Sequence, residues 1–247
     1  MSVSGGDQGV SVPGGDRGVS VLRVDPATET MISLIGSLAD NKSALGRRYG
    51  EWAVSAPTIE SAVAAAAMAQ DELGHARSTY PVLAKLGVER TDSGLDAGHP
   101  MPAISSELPD WASFIAANLV VDGVLTTFVA GARDSSIEPL AQRARKILQE
   151  EGSHKVHAER WARRIERAGG SDLDLLRRRI DEMWIQAARW PGPDEHEGYR
   201  AAMAAGMVAF APADVRRQVR DWLSPLVDGL TLDEPADWSD WDENYRR

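Results

Sequence analysis

The segment A69-Q-D-E-L-G-H-A-R77 carries Glu72 and His75 three residues apart, and Q149-E-E-G-S-H-K-V-H157 repeats that spacing with Glu151 and His154. On a helix, positions three apart share one face, so each pair offers a carboxylate and an imidazole to the same point. The rows that hold them are otherwise apolar. One reads Ala65, Met68, Glu72, His75, Thr79; the other reads Ala144, Leu148, Glu151, His154, Ala158, Trp161.

Outward from these pairs the chain divides into helices. Asp25-Pro26 reads as an N-cap followed by proline at the first helical position. Met31, Leu38, Leu45 and Trp52 then recur every seven residues with Leu34 and Tyr49 beside them, predicting an amphipathic helix to about residue 54. A second helix starts at Ala56-Pro57 and runs to about residue 86, with Gly87 as its C-cap. Residues 88–101 read as a loop. A third helix is expected over 110–130, and a fourth over 138–168, stopped by Gly169-Gly170. Shorter helices follow near 172–189, 196–210 and 212–228, punctuated by Pro191, Pro193 and Pro212. The expected organisation is a disordered Gly-rich leader (1–24), a helical domain (25–230) and an acidic tail (231–247) with exposed Trp238, Trp241 and Tyr245.

Turning an ionised carboxylate into a bundle core costs on the order of several kcal/mol unless something compensates, and a bound cation does so directly. Four-helix carboxylate bundles that hold two metals take a Glu-x-x-His pair from each of two helices and one further carboxylate from each of the others. Here Asp122 interrupts the apolar run N118-L-V-V-D-G-V-L-T-T-F-V129 of the third helix. Glu51 is the candidate from the first, in a row with Ala44 and Arg48 beside the Leu/Trp stripe. The expected centre is therefore Glu51, Glu72, His75, Asp122, Glu151 and His154. Four carboxylates and two imidazoles suit iron or manganese. His157 and Glu150 are candidates for orienting those ligands or for plain exposure. His99 and His196 read as surface residues, Arg47, Arg48 and Arg77 as solvated helix arginines, and Trp161, Trp184 and Trp190 as packing.

Composition narrows the function. A net charge of −10, from 37 acidic and 27 basic side chains, argues against tracking a phosphate backbone or docking on an anionic membrane. With no cysteine, disulfides, thiolate metal sites and Cys nucleophiles are excluded. Neither a signal peptide nor a run of about 18 apolar residues is evident, so a cytoplasmic protein is expected.

The segments L38-A-D-N-K-S-A-L-G-R-R-Y-G-E-W52, A56-P-T-I-E-S-A62, A69-Q-D-E-L-G-H-A-R77, V121-D122 and E150-E-G-S-H154 resemble the phenylacetate-catabolism family, the ferritin-like subunits of ring-1,2-phenylacetyl-CoA epoxidase. The resemblance covers about residues 34–190. It implies an all-α, ferritin-like four-helix bundle with additional C-terminal helices. The family has a catalytic subunit that keeps its iron ligands and a structural subunit that has lost several. In length and in its L-A-D-N-K and G-E-W segments the chain is similar to the structural kind; in its six acidic and histidine positions it is similar to the catalytic kind.

The leading expectation is a di-iron monooxygenase. Two iron ions would activate O2 and insert one oxygen into a small organic substrate, by resemblance an aromatic acyl-CoA such as phenylacetyl-CoA, giving an epoxide. No GxGxxG loop is present, so electrons would come from a separate reductase, and a homo- or hetero-oligomer with ferritin-like subunits is implied. Two rival readings stay open: a structural partner of a catalytic homologue, and an iron-storage or peroxide-scavenging bundle.

Overall fold

The computed structural model describes residues 25–88, 98–239, 241 and 245; the Gly-rich leader 1–24 and residues 89–97 of the expected loop lie outside the described residues. Among those described, all regular structure is helical. Helix α1 (Pro26–Trp52) begins where Asp25 caps it, its carboxylate accepting from the Thr28 amide at 3.1 Å. Helix α2 (Ile59–Lys85) begins two residues later than Ala56-Pro57 predicts, because the Thr58 hydroxyl accepts from the Ser61 amide at 3.2 Å. Gly87 ends it with φ +85°, a conformation that costs glycine little. A single turn, α3 (Pro102–Ser105), precedes the third long element.

That element is not one α-helix. Asp110 caps α4 (Trp111–Ala116), a π-helical stretch covers Ala117–Asp122, and α5 (Gly123–Gly131) completes it. Trp111–Gly131 is long and apolar enough to cross a membrane by length and composition, but 83% of its qualifying 18-residue window is buried within the protein. Its apolar surface is used on the core. Helix α6 spans Glu138–Ala168, as expected, and ends where Gly169 takes φ +64°.

Helices α1, α2, α4–α5 and α6 form the bundle, with α2 and α5 both against α6 and the π-helical stretch against α1. Helix α7 (Gly170–Ala187) covers α4, α8 (Glu197–Ala204) lies on α1, and α9 (Pro212–Leu223) lies on α5. Helix α7 has the expected length but starts two residues earlier, whereas α8 and α9 are shorter than their sequence spacing suggests. They enclose Trp184 and Trp190, whose indole N–H groups donate to Asp233 O and Ser37 Oγ.

The tail corrects one expectation. Trp241 and Tyr245 are not exposed; each is 5% accessible. The Trp241 indole donates to the Arg189 carbonyl at 2.8 Å, and its ring meets His196 edge-on at 5.2 Å. An indole with a carbonyl in reach has no reason to stay in water. His196, expected at the surface, also caps α8.

Candidate functional site

Glu72 and His75 on α2, Asp122 at the end of the π-helical stretch, and Glu151 and His154 on α6 converge in the middle of the bundle, each at most 4% exposed. Glu51 does not join them. It lies at the last turn of α1 with 37% of its side chain exposed and pairs with Arg48 at 3.0 Å. The first helix reaches the cluster nine residues earlier, roughly 13 Å along the axis, and with the opposite charge.

That residue is Lys42. It is wholly buried, and its ammonium donates to Asp122 Oδ1 at 2.6 Å, Glu151 Oε1 at 2.5 Å and Glu72 Oε1 at 3.0 Å. Its three N–H bonds meet three carboxylates from three different helices, so none is left over. Burial works against the charge on Lys42, but Asp122, Glu151 and Glu72 outweigh it and hold the ammonium well above the ordinary lysine range.

The imidazoles flank this centre. His154 Nδ1 stands 3.3 Å from Glu72 Oε1, 3.4 Å from Asp122 Oδ2 and 3.3 Å from Glu151 Oε2. Its Nε2 faces Asp71 Oδ2 at 3.3 Å. His75 Nε2 meets Glu150 Oε2 at 2.8 Å. His75 Nδ1 is 3.3 Å from Glu151 Oε1 and 3.9 Å from Glu72 Oε2, yet makes no aligned hydrogen bond. Burial would discharge both rings, but the carboxylates around them prevail: His75 is raised to about 9, and His154 further. For Glu151, burial opposes ionisation and Lys42 with the two imidazoles overrides it, so its carboxyl falls well below the usual range; Glu72 falls as well, mainly through Lys42. Asp122 is raised, first by burial and then by Glu151 and Glu72.

A pair of iron ions fits this arrangement poorly. The carboxylate that a two-metal bundle takes from its first helix is here an ammonium. The ligand atoms of Glu72, Asp122, Glu151 and His154 nevertheless lie within 4.8 Å of one another, a group that could hold a metal ion.

Around the cluster runs a shell of rings. Tyr49 is fully buried, its hydroxyl unpartnered and raised far above the usual tyrosine range, chiefly by burial. It packs on Phe114, which stacks on Trp111 at 4.3 Å between centroids, and Trp111 meets Trp52 and Trp161 edge-on. His157 turns its ring against Trp111 and Phe114 rather than toward the ligand set, and burial lowers it to about 4.

The family model described as phenylacetic acid catabolic protein matches residues 23–247. A comparison with curated proteins finds no match.

Proposed function

Because the chain belongs to the phenylacetic acid catabolic protein family, we propose that it acts as a ferritin-like subunit of a multicomponent oxygenase without itself activating oxygen. One observation carries this reading: the Lys42 ammonium sits among Glu72, Asp122 and Glu151 and supplies from within the charge that metal ions would otherwise bring. A bundle bridged this way holds its three buried carboxylates together without loading. Such a subunit would support a catalytic homologue, which would bind the substrate and receive electrons from the reductase.

The buried Glu72, Asp122, Glu151 and His154 group supports a second reading, a di-iron monooxygenase acting on an aromatic acyl-CoA such as phenylacetyl-CoA. It requires Lys42 to leave three ion pairs and some other group to complete the first-helix side of the centre. When bound, two irons would supply the reduction of O2; Glu72, Asp122, Glu151, His75 and His154 would hold them.

Iron per chain and oxygen uptake separate the two. The full chain is expressed with iron in the medium, purified, and assayed with a flavin reductase, NADH and a panel of aromatic acyl-CoA thioesters. The structural reading expects no substrate-dependent uptake and fewer than two irons per chain. Two irons with one oxygen atom gained by the thioester would establish the monooxygenase instead.

A further inference from the structure

We infer that this chain holds one divalent first-row metal ion rather than two, bound by His154 Nδ1, Asp122 Oδ2, Glu151 Oε2 and Glu72 Oε1, with Lys42 fixed as the second cation. The inference rests on the reading of Lys42 as a permanent member of the cluster. A tetrahedral ion with ligands at about 2.0–2.1 Å separates them by roughly 3.3–3.4 Å. His154 Nδ1 stands at 3.3, 3.4 and 3.3 Å from the three carboxylate oxygens.

Asp122 and Glu151 divide between the two cations, while Glu72 Oε1 faces both, 3.0 Å from Lys42 Nζ and 3.3 Å from His154 Nδ1. Asp122 gives Oδ1 to Lys42 and Oδ2 to the seat, and Glu151 gives Oε1 to Lys42 and Oε2 to the seat. Each therefore bridges an ammonium and a metal as it would bridge two metals. Glu72, wholly buried, has Oε2 without a partner, so it can turn bidentate as the ion arrives. The charges agree with the geometry: His75 is paired outward with Glu150, so the three inner carboxylates and the Lys42 ammonium leave two negative charges, which one divalent ion cancels.

The remaining ring nitrogen of His154 faces Asp71 Oδ2 at 3.3 Å, the outer carboxylate that commonly fixes a metal-ligating imidazole. A cavity of about 200 Å3, bordered by Asn118, Thr126, Lys155 and Trp222, reaches Asp122 and Glu151 from outside and gives an ion its way in. Three oxygens and one nitrogen without sulfur suit zinc, manganese, iron or cobalt.

Cobalt(II) is the probe. The full chain is stripped with chelator, dialysed against Co(II), desalted, and read by elemental analysis and visible absorption. About one ion per chain is expected, with the intense bands of four-coordinate Co(II). The ion should be lost in His154→Gln, whose helicity is checked by circular dichroism, and kept in Glu51→Gln. Lys42→Glu, which restores a first-helix carboxylate, should take about two. No ion in the wild type overturns the inference and leaves the structural-subunit reading standing. Two ions in the wild type overturn both. One ion that survives His154→Gln overturns the assigned seat, and one ion in Lys42→Glu overturns the role given to Lys42.

Discussion

Lys42 Nζ lies 2.6 Å from Asp122 Oδ1, an ion pair between residues 80 positions apart that joins the first helix to the π-helical stretch of the third. Glu151 Oε1 at 2.5 Å extends it to α6 and Glu72 Oε1 at 3.0 Å to α2. One side chain thus ties together all four helices of the bundle. Its removal leaves three carboxylates facing one another out of water.

Lys42→Ala in chelator-treated protein should lose about 3–5 kcal/mol of stability, the cost of breaking a buried pair on one side. Urea denaturation followed by circular dichroism measures it. A loss below about 1 kcal/mol would mean that the ammonium is not what neutralises the cluster.

Glu51→Gln should change little. Glu51 and Arg48 form a partly exposed pair, and such pairs contribute about 0–1 kcal/mol. Neither the unfolding midpoint nor the metal content should move. A drop in bound metal would return Glu51 to the centre.

His75 is raised from 6.5 to about 9 in the folded protein. A raised value means that its contribution is fully present below pH 6.5 and fades as pH climbs through 9. In metal-free protein the stability lost in His75→Gln should therefore be largest at pH 6 and shrink by pH 9.5, by on the order of 3 kcal/mol. A difference that grows with pH would contradict the charge assigned to that ring.

Arg216 fastens the C-terminal segment. Its guanidinium, 3% exposed, donates to both Asp194 oxygens, to Glu234 Oε2 at 2.7 Å and to the Gly192 carbonyl. Arg216→Ala should cost about 1.5–3 kcal/mol, the range for hydrogen bonds to charged groups. Protease cleavage beyond residue 230 should quicken, with a red shift of tryptophan emission as Trp238 and Trp241 loosen.

Much of this was legible in the sequence, and particular residues show where legibility ended. The span 138–168 could be read to the residue because Pro139 and Gly169-Gly170 punctuate it. Asp122 stood out as one charge in an apolar run. The same test marks Lys42, which falls between Leu38, Leu45 and Tyr49 on the buried stripe of α1. A metal ligand from this helix is expected to be a carboxylate, which points to Glu51, but Glu51 lies off that stripe. Counter-ions obey the stripe as strictly as ligands do. The burial of Trp241 and Tyr245 had no local signal, because the groups that cover them, Arg189 and His196, are distant in sequence.

The π-helical stretch Ala117–Asp122 behaves as one peptide unit too many, absorbed by widening a turn. Its two flanks are therefore out of phase by about 100° compared with an unbroken α-helix. Upstream, Trp111 and Phe114 reach the ring cluster; at the downstream end of the stretch, Asp122 meets Lys42. Shortening the chain there by a single residue would force a choice between the aromatic wall and the ion cluster, since a continuous spiral cannot aim at both.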